Sequence, residues 1–416
     1  MLFDPQRHEA LTGARWNADI ARSTIAAIAR DALARFSPAE LWPTHPLDHE
    51  DTDPPPPFRM LYMGAAGVIW ALDRLARSGV PEARHDFIPM LDELATRNAA
   101  QVAPWGHGVE SLLMGRAGIL LLHHRLAPSP AVADRLAASI AANANHPSLE
   151  MLWGSPGTMH AALTMHERTG DERWAALFRG DAKSLAASLA YVPEARCHLW
   201  TQDLYGERPQ YIGAGHGFAG NASALVRGRA LLPADEWAQW TERIVQTAHA
   251  TAMRRDSLAN WPATFAHPAP ASPRLLVQWC HGAPGLVTSL ADLPDPRLDE
   301  LLVAAGELVW AAGPLTKGPG LCHGTAGNGY ALLKLYRRTG DAIWLDRARS
   351  FAMHAIAQSE HHAEEYRMRR YSLWTSDPGL ALYLWNCLSG DDRWPNLDRE
   401  DDGWASRRHI PASSAT

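Results

Sequence analysis

A Gly-x-x-Gly pattern followed by an apolar run occurs six times in this 416-residue chain. The copies are GAAG (64–67), GRAG (115–118), GSPG (154–157), GFAG (217–220), GAPG (282–285) and GTAG (324–327), and a weakened seventh, SDPG, stands at 376–379. Successive copies begin 39 to 65 residues apart, the span of two helices and their loops. A chain that repeats one helical unit buries the apolar face of each copy against its neighbours, so the repeat, rather than a length prior of two or three domains, sets the architecture.

The segments after the glycines, such as GVIWALDRLARSG, GTMHAALTMHERTG and GNGYALLKLYRRTG, are apolar on more than one face and predict buried helices. Between them, 18–36, 129–144, 234–253 and 295–313 carry one apolar stripe opposite a charged face and predict surface helices. The junctions TGDERW (169–174), TGDAIW (339–344) and SGDDRW (389–394) supply Gly to end one helix, Asp to cap the next and Trp to anchor it. Seven buried and seven amphipathic helices in alternation predict an all-α fold, an α/α toroid with an inner ring inside an outer one. Residues 1–416 are expected to form one domain, with a polyproline-like connector at 51–58, longer loops near 192–212, 255–278 and 359–373, and a loose tail from about 395 to 416.

Composition removes several functions. With 39 Lys+Arg against 45 Asp+Glu, the formal charge of −6 provides no basic field for nucleic acid or anionic lipid. The N-terminus lacks the apolar run of a signal peptide, no stretch of ~18 apolar residues follows, and a cytoplasmic protein is expected. Four cysteines are too few for a disulfide framework in a chain of this size and read as reduced thiols.

In such a toroid all seven glycine loops gather at one mouth, where helix N-termini are expected to present free amides. Three copies carry more than glycine there: GAGHGFAGN (213–221), WCHGAPG (279–285) and LCHGTAGNGY (321–330). Two Cys-His-Gly elements on consecutive inner helices bring two thiols and an imidazole to one point. Thiolates with imidazole suit Zn²⁺, and three protein ligands with a fourth position open is the catalytic arrangement. The alternative is that Cys280 and Cys322 are small buried apolar residues. Cys197-His198 lacks the following Gly and Cys387 reads as core, while Asn221 and Asn328 suit hydrogen bonds to loop backbone. His123 and His124, at a helix end, are expected to be solvated.

With these motifs the sequence resembles the lanthionine synthetase C family, the zinc-dependent cyclases of lanthipeptide biosynthesis and the LanC-like proteins. The resemblance implies Zn²⁺, one per chain, held by Cys280, Cys322 and His323, and a general acid/base at His216 within YIGAGHGFAGN. Glu150 falls where lanthipeptide cyclases tend to carry Asp and LanC-like proteins Glu, and Lys317 matches a lysine that in LanC-like proteins helps to bind glutathione; both are expected on the substrate side. His281 stands where peptide cyclases carry Tyr, and serves as a second acid/base candidate. Leu276 replaces an Arg of the cyclases, with Arg274 nearby in another register, so RLLVQWCHGAPG is closer to the glutathione-adding LanC-like branch.

The activity implied is addition of a thiol to dehydroalanine or dehydrobutyrine, acting on a dehydrated peptide or protein, with glutathione as a possible thiol and a separate dehydratase as a possible partner. Arg7, Arg367, Arg369 and Arg370 are further candidates for a substrate carboxylate. Two other readings compete: a zinc-binding scaffold without turnover, and a toroid glycosidase. The second needs two carboxylates across the cleft, where only Glu150 is evident.

Overall fold

Each inner helix begins with its own approach loop folded back over its first turn. In the computed structural model, which describes residues 1–49, 55–268 and 275–399, Ala65 N donates to Phe58 O, Arg116 N to Val109 O, Ala219 N to Ile212 O and Thr325 N to Gly318 O, in each case reaching seven residues back. The second glycine of every copy (Gly67, Gly118, Gly157, Gly220, Gly285, Gly327 and Gly379) therefore faces the carbonyl oxygen six residues before it, and a Cβ built there falls well under 3.0 Å from that oxygen. The glycine is a steric requirement of the reversal. In these four copies loop carbonyls consume amides that the sequence suggested would be free at the mouth, and Asn260 Oδ1 takes the Ala283 amide in the fifth, which corrects that expectation there.

Among the described residues seven helices start this way and form the inner ring: α2 (Ala65–Arg77), α4 (Arg116–Leu126), α6 (Ser155–Thr169), α8 (Phe218–Arg227), α10 (Ala283–Leu290), α12 (Thr325–Thr339) and α14 (Asp377–Ser389). Every residue of α10 and all of 155–165 in α6 are buried. Each packs on the next, and α14 returns to α2. The outer ring is α1 (Ala18–Arg35), α3 (Leu91–Val102), α5 (Pro130–Asn143), α7 (Glu172–Ser188), α9 (Ala234–Ala250), α11 (Asp299–Ala312) and α13 (Ala342–Tyr366). In α5, Val132, Ala133, Leu136, Ser139, Ile140 and Asn143 make one buried stripe at helical spacing. The architecture is the α/α toroid of seven and seven.

Main-chain bonds lock the mouth. Gly215 N donates to Cys280 O (3.2 Å), Cys280 N to Cys322 O (3.2 Å), Cys322 N to Trp374 O (2.8 Å), Trp374 N to Tyr62 O (3.1 Å) and Tyr62 N to Leu113 O (2.9 Å). All six residues stand two positions before the first residue of their repeat. A belt of amide bonds thus runs from copy to copy. The long connections beside it are stiffened by three antiparallel pairs: β1 (Ala190–Val192) with β2 (Cys197–Leu199), β3 (Gln210–Tyr211) with β6 (Thr264–Phe265), and β4 (Met253–Arg255) with β5 (Leu258–Asn260). The β3–β6 pair joins the segments that lead to His216 and to Cys280.

The opposite end is closed by residues 391–399. Leu397 O accepts from His160 Nδ1 (2.8 Å) and Arg227 Nη1 (2.7 Å). Lys334, buried on α12, is held by Asp292 (2.7 Å), Asp398 (2.8 Å) and Asp392 (3.2 Å). Burial disfavours its charge, but the three carboxylates outweigh that and hold its pKa well above the ordinary lysine value.

Several expectations change. Residues 395–398 are packed, with Asn396 and Leu397 buried, so they are not part of a loose tail. The remaining 400–416, residues 51–54 of the connector and Arg274 lie outside the described residues. Residues 359–366 finish α13 rather than forming a loop. TGDERW and TGDAIW behave as read, with Gly170 and Gly340 left-handed and Asp171 and Asp341 capping the next helix. SGDDRW does not: Asp391 accepts from Arg393 N, but the chain goes on across the barrel floor without a helix. His123 and His124 are buried, not solvated. No helix among the described residues is long and apolar enough to cross a membrane.

Two outcomes test this packing. Gly118→Ala is expected to cost about 3 kcal/mol or more in chemical denaturation, because the obstruction is main chain and cannot swing aside. His160 is held neutral by burial and the neighbouring Arg227 charge, with a pKa lowered to about 3. The unfolded chain binds that proton near the ordinary histidine value, so this contribution is complete above pH ~6.5 and is lost as pH falls toward 3. His160→Gln is expected to flatten stability against pH across that window, measured by denaturant midpoints.

Candidate metal centre

Because the repeats are in register at the mouth, residues at like positions become neighbours. Cys280 and Cys322 occupy the belt position of the fifth and sixth copies, and His323 follows directly. Their Sγ and imidazole nitrogen atoms all lie within 4.8 Å of one another. A tetrahedral ion with bonds of about 2.3 Å to sulfur and about 2.0 Å to nitrogen keeps its ligands roughly 3.5–3.8 Å apart, so the group can close on such an ion by small side-chain rotations. Both cysteines are buried and His323 is half-buried. The donor set, two sulfurs and one imidazole, suits a thiophilic ion and leaves one tetrahedral direction for another ligand.

The two thiols interact strongly. The hydrogen bond from Cys322 holds the Cys280 thiol well below the usual range against the effect of burial, with help from His323. Cys322 is pushed far up by that same bond, by burial and by the Cys280 charge. The pair thus favours ionisation of one thiol over the other, and a bound dication would favour the thiolate form of both. Around the sulfurs stand the Tyr62 hydroxyl, hydrogen-bonded to Cys322, and Gln278, whose Nε2 lies 2.9 Å from Cys280 Sγ. Lys317 is exposed, on the loop that leads to Cys322, and its charge acts on the Cys322 thiol.

His216 lies beside this group, its ring 5.7 Å from that of His281, and both rings lie 5.7 Å from Tyr211. Its Nδ1 is 3.0 Å from Oε2 of the fully buried Glu150. The same carboxylate accepts from Leu152 N (2.9 Å) and Trp153 N (2.6 Å), so a side chain satisfies amides at the copy where the belt is interrupted. Burial lowers the pKa of His216, but the hydrogen bond and charge of Glu150, with the charge of Cys280, more than compensate and raise it. Asn221 Nδ2 donates to Leu149 O and Asn328 Nδ2 to Val277 O, which steadies the loops that carry Glu150 and Cys280.

The structure brings together Cys280, Cys322, His323, His216, His281 and Glu150, with Lys317 at the edge. It does not bring in every arginine: Arg370 is buried against Asp48, and Arg369 is paired with Glu360. Tyr62 and Gln278 were missed by sequence reasoning. Tyr62 was detectable, because superposing the seven repeats puts it in the same column as the two cysteines; nothing in the pattern marks Gln278.

The family model described as lanthionine synthetase C-like protein matches residues 58–399. The chain belongs to that family. Among curated relatives, the LanC-like protein GCL1 of Arabidopsis thaliana is 49% identical over 82 residues, 18% of this chain and 19% of that protein. The glutathione S-transferase LANCL1 of Danio rerio is 42% identical over 92 residues, 21% and 22% of the two chains. The matched stretch thus spans about a fifth of either relative. The solved nisin cyclase superposes with a TM-score of 0.55 over 90% of this chain and 100% of its own, at 15% identity, which shows the shared fold.

Within this LanC-like site, Glu150→Gln is expected to lower the pKa of His216, since it removes the charge that offsets burial. A histidine NMR titration that finds His216 unmoved would show that Glu150 does not set its protonation.

Proposed function

We propose that this LanC-like protein is a zinc-dependent enzyme that adds a thiol, with glutathione the preferred donor, to dehydroalanine or dehydrobutyrine residues of a dehydrated peptide or protein. The observation that carries the reading is the Cys280–Cys322–His323 cluster within the same mouth as the His216–Glu150 pair. The Cys-His-Gly form of both cysteine motifs and the similarity to the zebrafish glutathione S-transferase LANCL1 support the glutathione branch over ring formation.

Bound Zn²⁺ would supply the positive charge that makes a thiol a thiolate at neutral pH. The addition then balances without an oxidant. A sulfur–carbon bond forms at the β-carbon, the carbon–carbon π bond breaks toward the carbonyl oxygen, and the α-carbon takes one proton in place of the one the thiol lost. His216 is suited to move that proton. Glu150 engages Nδ1, which leaves Nε2 as the exchanging atom, and the carboxylate stabilises the imidazolium between uptake and release. His281, in ring contact with His216, is the second candidate for this step. Lys317 offers an exposed ammonium for a carboxylate of the thiol substrate. A dehydratase acting beforehand would supply the acceptor. A cytoplasmic location fits the four free cysteines.

Purified protein is expected to contain about one Zn²⁺ per chain by elemental analysis, and Cys322→Ala to lose it; full retention would refute the ligand assignment. Incubation with a dehydroalanine peptide and glutathione should give an adduct whose mass is the sum of the two, with His216→Ala slowed by about 10²-fold or more. A ring formed without mass gain would instead indicate a cyclase, and neither product a scaffold.

A further inference from the structure

The N-terminal residues belong to no repeat, and the LanC-like match begins only at residue 58. They nonetheless bridge the two loops that carry the cysteine pair. On one side, Asn260 Nδ2 donates to Leu2 O (2.7 Å) and to Leu276 O (3.2 Å), while Asn260 Oδ1 accepts from Ala283 N (2.8 Å). Asn260 thus binds the N-terminal segment to both ends of the Cys280 loop. On the other side, Thr316 N donates to Arg7 O (3.1 Å), Glu9 N to Pro314 O (3.0 Å), and His8 Nδ1 lies 2.9 Å from Gly313 O. Gln358 Nε2 donates to both Glu9 Oε1 (2.6 Å) and Leu315 O (2.7 Å). These contacts grip the loop that runs on to Cys322 and His323.

Gln278 stands on the Cys280 loop itself, two residues before the cysteine. Its Oε1 faces Arg7 Nη2 at 3.5 Å and its Nε2 faces Cys280 Sγ at 2.9 Å. A guanidinium only donates, so Arg7 selects the amide orientation that turns the oxygen toward itself and the N–H toward sulfur. Gln278 is buried, so little water competes for that donor.

We propose that residues 2–9 form a strap that positions the metal centre: it ties the Cys280 loop to the Cys322–His323 loop and, through Arg7, orients Gln278 as a hydrogen-bond donor to Cys280 Sγ. The proposal rests on the metal reading of the three ligands. A donor on a ligating thiolate lowers the energy of its lone pair and fixes its direction, and loss of such a partner typically costs 10–100-fold in metal affinity. Gln278 and Arg7 are positioning residues; neither needs to touch substrate.

The test uses the full chain. Zn²⁺ affinity is measured by competition with a chromophoric chelator, and Co²⁺ is substituted to read the sulfur-to-cobalt charge-transfer band. Gln278→Met keeps length and burial but has no donor. It is expected to weaken Zn²⁺ binding by about 10-fold or more and to move the band to longer wavelength. Arg7→Met, at a half-buried position where misfolding is not a concern, should shift both in the same direction by less. Asp171→Ala, which uncaps an outer helix remote from the site, should move neither, and a control that did shift the band would overturn the assignment to the strap. Unchanged affinity and band in both strap variants, with a normal band in the unsubstituted protein, would overturn the strap and leave the metal reading standing. Absence of any sulfur-to-cobalt band in the unsubstituted protein would overturn the metal reading and the strap together.

Discussion

The donation of Cys280 N to Cys322 O is the bond on which the candidate centre depends. It makes two residues that are 42 positions apart neighbours through main chain, so the separation of the thiols is set by toroid closure rather than by side-chain preference. The bond is one link of the belt, and the belt exists because every approach loop reverses over its own helix. That reversal demands glycine where a Cβ would meet a carbonyl oxygen. A steric condition on seven residues therefore propagates to the geometry of the Cys280–Cys322–His323 cluster.

Electrostatically the mouth is two half-sites. In the thiol pair the bonds from Cys322 and His323 favour ionisation of Cys280, and the Glu150 carboxylate raises the pKa of His216 despite burial. The groups are close enough for the charge of Cys280 to raise the His216 pKa as well. The thiol pair and the His216–Glu150 pair are consequently coupled through charge.

Much of this was legible in the sequence, because the repeat is written in residues with no substitute. Glycines at helix position three, apolar periodicity and Gly-Asp junctions gave the rings, and doubled Cys-His-Gly elements gave the cluster. The missed features share a physical cause. The strap, the role of Gln278 and the floor made by residues 391–399 all depend on contacts between segments far apart in the chain, made by ordinary polar residues that no local pattern distinguishes. The expectation of free helix amides failed because periodicity locates a helix start but not the loop that returns over it. SGDDRW misled in a similar way: its local chemistry caps a turn, but the place of a further outer helix is already taken by α1, which packs on α14.

The floor also constrains how anything reaches the chemistry. With Leu397 pinned by His160 and Arg227, and Lys334 locked among three carboxylates, the barrel is shut at the end away from the cysteines. A polypeptide cannot be threaded through it, so whatever visits the cysteines must dip in and withdraw by the same opening. Such a cup is indifferent to how long its visitor is. A peptide acceptor of the kind proposed above would enter as a short protruding bend, with the rest of its chain in solvent outside the rim.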